Sequence, residues 1–196
     1  MVKKLPDLEK HKHSRLSQVF GSKRNRMLVI VGVLVLAIVV AAAIIISQPS
    51  QDEQDIADMN ALSEQSAALV ADYKYGQAIA LWQAFLKKPL SPDVKCEANL
   101  RYGITLLDSF KYNDAYDNLV GLQESCKNVD QYTLTLGLAK SADGGARIVP
   151  AIDNYKKVID QLKQRQENPP KDFNAEENQK MIADYQETIK ILESNL

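Results

Sequence analysis

The chain has 196 residues, with 24 basic and 25 acidic side chains and a formal net charge of −1. This balance conceals two opposed parts, because residues 1–26 carry eight bases and two acids, whereas residues 47–196 carry sixteen bases and twenty-three acids. The acidic part is a poor ligand for nucleic acid, since phosphate recognition depends on clustered cations. The basic tail lacks interleaved aromatic residues apart from Phe20, so a nucleic-acid partner is not expected there either.

A run of twenty apolar residues separates the two parts. Residues 27–46 contain no charged or polar side chain, and a helix of about 20 residues spans the hydrocarbon core of a bilayer. Bases precede the run, and no base follows it until Lys74. By the positive-inside rule we predict a basic cytoplasmic tail (1–26), a transmembrane helix (27–46) in the plasma membrane and an extracytoplasmic remainder. A cleaved signal peptide is the alternative, although signal h-regions are usually about 7–15 residues long.

The remainder of the chain reads as an all-α domain. An acidic, glutamine-rich stretch that contains Pro49 predicts a linker over residues 47–58. From residue 59 onward apolar residues recur at helical spacing, without the alternation that is typical of strands. Ser91-Pro92 predicts the start of a helix. The absence of an Asn-x-Ser/Thr sequon mildly favours a bacterial envelope.

One pattern of small and large residues occurs in three segments of this domain. The first two copies lie 37 residues apart, and a degraded third copy follows after a further 36 residues. The copies are Tyr75-x2-Ala78-Ile79-x2-Trp82, Tyr112-x2-Ala115-Tyr116-x2-Leu119 and Ala151-Ile152-x2-Tyr155. Small residues let two helices approach closely, and large residues fill the space between them.

The pattern resembles the tetratricopeptide repeat (TPR), a helix–turn–helix unit of 34 residues. The match is best over residues 96–126, where Gly103, Leu106, Tyr112 and Ala115 occupy family positions, and it is partial over residues 59–89. In the third copy Ile148 replaces the tyrosine and Pro150 interrupts the pattern. The resemblance implies an α-solenoid of about three helical hairpins over residues 59–196, since a single hairpin cannot bury its own apolar face.

A last helix over residues 174–195 is expected to cap this stack. Asn174 followed by Glu177 predicts a capping box at its start. Its apolar residues recur every three or four positions and so lie on one face. The alternative is that this helix occupies the groove of the stack.

The TPR resemblance also implies a binding surface. TPR-like stacks present a concave groove lined by the first helix of each repeat, and such a groove accepts an extended or helical peptide. The implied groove residues are Ser63, Ala67, Val70, Glu97, Leu100, Ile104, Leu107, Leu136 and Lys140. Ordinary core packing is an equally good interpretation of Leu100, Ile104 and Leu107.

Cys96 and Cys126 are the only cysteines of the chain. They are equidistant from the turn predicted at residues 110–112, which places both sulfur atoms at the open end of one antiparallel hairpin. A disulfide there closes a loop of about 30 residues and is worth about 3.5 kcal/mol, and an oxidising compartment allows it. The alternative is two buried thiols that act as small apolar residues.

The residues that most catalytic sites need are missing from the predicted domain. Both histidines, His11 and His13, lie in the basic tail, so the domain has no imidazole for a catalytic triad or a histidine zinc site. Nucleotide-binding and nucleophile-elbow motifs are also missing. We therefore predict that the chain is not an enzyme and uses no cofactor or metal.

The combined features predict a membrane-anchored, extracytoplasmic scaffold for protein or peptide partners. Single-span TPR proteins of bacterial envelopes have a similar layout, and by that analogy the scaffold assists secretion or the assembly of envelope complexes. A fixed structural subunit of a membrane complex is the alternative. A third hypothesis is a hydrolase that depends on a pair of carboxylates.

Overall fold

The computed structural model describes residues 30–39, 50–171 and 173–196. The chain divides into two units, Met1–Ser50 and Gln51–Leu196. In the first unit, residues 30–39 are helical and their side chains are exposed. None of the described helices combines the length and the apolar character that a membrane crossing requires. The predicted span 27–46 extends beyond residues 30–39 on both sides, and those flanks, like the basic tail 1–26, lie outside the described residues.

The second unit is all-α, as predicted, and the described residues contain no strand. Its helices are α1 (Gln51–Ala71), α2 (Tyr75–Phe85), α3 (Pro92–Asp108), α4 (Tyr112–Ser125), α5 (Gln131–Gly144), α6 (Ile148–Glu167) and α7 (Ala175–Glu193). Each helix packs against the next one along the chain, and α3 also packs against both α1 and α5.

Helix α1 begins earlier than the sequence predicts, so the linker prediction is wrong for residues 51–58. Asp52 and Glu53 lie in the first turn of this helix, where negative charge is favourable. Asp55 and Met59 are one turn apart and both buried, and Met59 joins a core cluster with Trp82. The acidic composition indicated a solvated linker, but the burial of one helical face extends the helix through it.

The same turn joins α1 to α2, α3 to α4 and α5 to α6. Its middle residue adopts a left-handed backbone conformation, with φ of 61° at Tyr73, 59° at Phe110 and 57° at Ala146. In each turn the following backbone N–H donates to a carbonyl five residues earlier: Lys74 to Leu69 at 2.8 Å, Lys111 to Leu106 at 2.9 Å and Arg147 to Ala142 at 2.7 Å. The turns lie 37 and 36 residues apart, so the backbone repeats with the period of the sequence pattern.

Glycines allow α4 to pack closely between α3 and α5. Leu119 of α4 is fully buried. A Cβ atom added to Gly103 would lie 2.5 Å from the Leu119 Cδ2 atom, and one added to Gly137 would lie 2.9 Å from its Cδ1 atom. The two glycines therefore make the space that this leucine side chain fills.

Cys96 and Cys126 form a disulfide, with their Cα atoms 5.6 Å apart. Cys96 lies in the second turn of α3, and Cys126 directly follows α4. The bond joins these two helices at the end opposite the turn around Phe110, which confirms the predicted pairing.

The predicted helix starts at residues 92 and 174–175 are confirmed, although their caps differ. The Asn174 side chain accepts hydrogen bonds from the backbone N–H groups of Glu176 and Glu177, at 3.1 and 3.2 Å. Ser91 precedes Pro92 as expected, but its hydroxyl makes no capping hydrogen bond. The last helix, α7, packs against α6.

Candidate peptide-binding groove

A depression of about 560 Å³ lies between α1, α3 and the start of α5. We call this depression the groove. Six of the nine predicted residues line it: Ser63, Ala67, Val70, Glu97, Leu100 and Ile104. The first helices of the first two helix pairs therefore bring these side chains to one surface.

The other three predicted residues lie elsewhere. Leu107 and Lys140 line a neighbouring depression of about 620 Å³, which shares Val70 and Asp108 with the groove. Leu136 is half-buried and packs against a core cluster of the α5, α6 and α7 helices. For Leu136 the groove prediction is therefore wrong, because α5 turns this side chain toward the core.

The interpretation of the apolar groove residues as core is confirmed for one of them. Leu100 is 3% exposed and belongs to a core cluster with Leu119 and Leu134, so it forms the floor of the groove. Ile104 and Leu107 are only half-buried. A ligand in the groove would thus meet a fixed apolar floor and a partly open apolar wall.

Sequence reasoning missed several polar lining residues: Ser66, Arg101, Thr105, Asp108, Asp130 and Thr133. A signal for two of them was present in the sequence. Arg101 and Asp108 follow Glu97 at spacings of four and eleven residues, which return to one face of a helix.

Three of the four charged side chains that line the groove, Glu97, Arg101 and Asp130, make hydrogen bonds within the protein. The Arg101 Nε atom donates to the Glu97 Oε1 atom at 2.8 Å, and the Arg101 Nη1 atom donates to the Asn60 Oδ1 atom at 2.9 Å. Asp130 accepts hydrogen bonds from the backbone N–H of Tyr132 at 3.1 Å and from the Thr133 hydroxyl at 2.6 Å. The Glu97–Arg101 pair is neutral, whereas the hydrogen bonds to Asp130 come from uncharged groups and leave its negative charge at the rim.

Asp108 differs from the other acids of the groove. Burial raises the pKa of its carboxyl group above the ordinary value, and the positive charge of Lys140 partly offsets this rise. Since Asp108 lines both depressions, a cationic group of a ligand placed there would stabilise its charged form.

A buried polar chain holds the helices beneath the groove. The Trp82 Nε1 atom donates to the Ser66 hydroxyl at 3.0 Å, and the Ser66 and Thr105 hydroxyl oxygens are 3.3 Å apart. These side chains belong to α2, α1 and α3, and all three are buried. These hydrogen bonds therefore fix α1 relative to α3, and the Ser66 hydroxyl is already used in hydrogen bonds within the protein.

Within residues 30–39, 50–171 and 173–196, no group of three or more His, Cys, Asp or Glu side chains could hold a metal ion. The two histidines, His11 and His13, lie outside that part of the chain. In comparisons of this chain with protein-family models, with curated proteins and with solved structures, no match was found.

Proposed function

We propose that this chain is a membrane-anchored, extracytoplasmic scaffold that binds peptide segments of partner proteins in the groove. The observation that carries the proposal is the groove itself, with the buried Leu100 as its floor, Ile104 as a half-open apolar wall and paired charges at its rim. Such a surface suits a peptide that places apolar side chains in the groove and makes backbone hydrogen bonds to the polar residues of the rim.

In this proposal the helical unit is a TPR-like stack. The left-handed turns at Tyr73, Phe110 and Ala146 support it, because their spacing of 37 and 36 residues gives three helical pairs of similar design. The packing of α3 against both α1 and α5 supports it too, since the first helices of successive pairs then line one surface. The last helix, α7, covers α6 as a cap.

The proposed anchor is residues 27–46, with the basic tail in the cytoplasm. Its support is the uncharged apolar run and the excess of bases before it. The Cys96–Cys126 disulfide is consistent with this topology, because disulfides persist mainly in oxidising compartments.

A photo-crosslinking experiment on the full chain in cells tests the binding surface. A photoreactive residue replaces either Ala67, an exposed alanine of the groove, or Ala80, an exposed alanine of α2 that serves as the control. The scaffold hypothesis expects adducts with several proteins at position 67 and few at position 80. Equal labelling at both positions, or none at position 67, would refute it. One fixed stoichiometric partner at position 67 would favour the structural subunit instead.

The topology has a separate test. A Ser50→Cys variant should react with a membrane-impermeant maleimide on intact cells, and the native disulfide leaves no other thiol to react. Labelling only after the cells are permeabilised would place the helical unit inside and exclude the proposed anchor orientation.

A further inference from the structure

Two acidic side chains lie at opposite ends of the groove. Asp108 is the last residue of α3, and Asp130 directly precedes α5; both line the groove. Asp130 is close to the start of α3, because the Asn128 side chain, two residues before it, donates to the Asp93 Oδ1 atom at 3.2 Å. Asp108 follows Asp93 by fifteen residues. Since a helix rises about 1.5 Å per residue, the two acidic ends of the groove are about 20 Å apart along α3.

Neither of these two charges is neutralised by an ion pair within the described residues. The hydrogen bonds that Asp130 accepts come from uncharged groups. Burial raises the pKa of the Asp108 carboxyl group, and the charge of the exposed Lys140, which lines the neighbouring depression, partly offsets this rise. Both carboxylates therefore interact favourably with a cation that a ligand brings to them.

The surface between the two acids is apolar, and its surroundings carry an excess of negative charge. Leu100 forms the floor of the groove, and the half-buried Ile104 forms its wall. The groove and the neighbouring depression are together lined by four acids and two bases, which are Glu97, Asp108, Asp130, Asp143, Arg101 and Lys140. A ligand that is complementary to this surface is apolar in its middle and positively charged at both ends.

We infer that the groove binds a peptide segment in which two basic residues, about 20 Å apart, flank apolar side chains. In an extended chain, which rises about 3.3 Å per residue, six positions span about 20 Å. Alternate side chains of such a chain point to the same side. Basic residues at the first and seventh positions and apolar residues at the third and fifth therefore all face the groove, with one cation near Asp108 and the other near Asp130.

This inference rests on the proposed peptide-binding function of the groove and adds the chemistry of the peptide. The apolar floor favours any peptide that has apolar side chains, whereas the two carboxylates distinguish basic flanks from neutral or acidic ones. Attraction between exposed charges weakens as salt is added, but apolar burial does not. The two proposals therefore expect different responses to the charge of the peptide and to salt.

The test measures fluorescence anisotropy of labelled peptides with the full chain in non-ionic detergent at low salt, with detergent alone as the blank. The first probe has the sequence Lys-Ser-Leu-Ser-Leu-Ser-Lys with uncharged ends. A second probe carries norleucine in place of both lysines, which removes the charges and keeps the apolar stems. A third carries glutamate there, and a fourth has both lysines at one end. We expect the first probe to bind most tightly, the glutamate probe to bind most weakly, and added salt to weaken only the lysine probes.

Two variants of the chain remove one charge each and keep the shape of the side chain. Asp108→Asn and Asp130→Asn should each weaken binding of the first probe about two- to fivefold and leave the norleucine probe unaffected. Asparagine is as good an N-cap as aspartate, so α5 should keep its cap in Asp130→Asn. Asp153→Asn is the matched control, because Asp153 is an exposed acid of α6 that lines neither depression. Equal affinity of the lysine and norleucine probes, or no larger effect of the two groove variants than of Asp153→Asn, would overturn the inference.

A blocked groove separates failure of this inference from failure of the proposed function. Ala67→Trp places a large side chain in the groove, and Ala80→Trp places the same side chain on the exposed surface of α2 as the control. If Ala67→Trp alone excludes every probe but the charge of the probe has no effect, the inference is overturned and the groove function stands. If no probe binds the native chain, or if Ala67→Trp leaves binding unchanged, both proposals are overturned.

Discussion

The close approach of α3 and α4 gives the sharpest prediction about stability. In a Gly103→Ala variant, the new Cβ atom would lie 2.5 Å from the Cδ2 atom and 2.8 Å from the Cγ atom of Leu119, and 2.7 Å from the Oδ1 atom of Asn118. Leu119 is fully buried, and its other methyl group already faces Gly137 on α5. The Leu119 side chain therefore cannot move away from the new Cβ atom, because α5 lies against its other side.

The expected magnitude follows from two opposed effects. Replacing a glycine inside a helix by alanine ordinarily stabilises a protein by about 0.5–1 kcal/mol. Overpacking of a filled core costs about 1–3 kcal/mol, and contacts this short with a buried side chain belong in the upper half of that range. Gly103→Ala should therefore lower the free energy of unfolding by about 1–2 kcal/mol.

Gly121→Ala on the adjacent helix is the matched control. A Cβ atom at Gly121 would meet no heavy atom within 4 Å, so only the helical preference remains and the variant should gain about 0.5–1 kcal/mol. Urea unfolding of the full chain in non-ionic detergent measures both changes through the fluorescence of Trp82, the single tryptophan, which is buried. If Gly103→Ala gained stability to the same extent as Gly121→Ala, the tight α3–α4 contact would be refuted.

Three further predictions concern the Cys96–Cys126 disulfide, the ionisation of two tyrosines and the cap of α7. Replacing Cys96 and Cys126 together by serine opens a loop closed over 30 residues and should cost about 3.5 kcal/mol; an unchanged urea midpoint would contradict this. Burial is the main cause that raises the pKa of Tyr155, and it also raises the pKa of Tyr185 to about 12. Because both tyrosines ionise near pH 10 in the unfolded chain, stability should be full below pH 10 and fall between pH 10 and 12, and absorbance titration of the folded and unfolded chain should show the delayed ionisation. Asn174→Ala removes the cap of α7 and should cost about 1 kcal/mol, measured as a lower Tm, with Ser91→Ala as a control expected to have a smaller effect since Ser91 makes no capping hydrogen bond.

The groove shows how far local patterns can predict which side chains share a surface. Ala67 and Ile104, which the TPR resemblance implies for the groove, both line the depression, and helical spacing explains why their neighbours one turn away share the same face. Leu136 does not line the groove, since the direction of its side chain depends on how α5 is rotated against the core formed with α6 and α7. A pattern within one helix contains no information about that rotation.

The sequence by itself predicted the all-α character, the period of about 37 residues and the position of both cysteines at the open end of one hairpin, because helical spacing and distance from a turn are local properties. It left open whether the two cysteines form a disulfide, which the structure shows. Tertiary packing alone decided the rest. It extends α1 back to Gln51 by burying Met59, and it rotates α5 so that Leu136 packs against the core formed with α6 and α7, because both outcomes depend on contacts between helices that no single helix encodes.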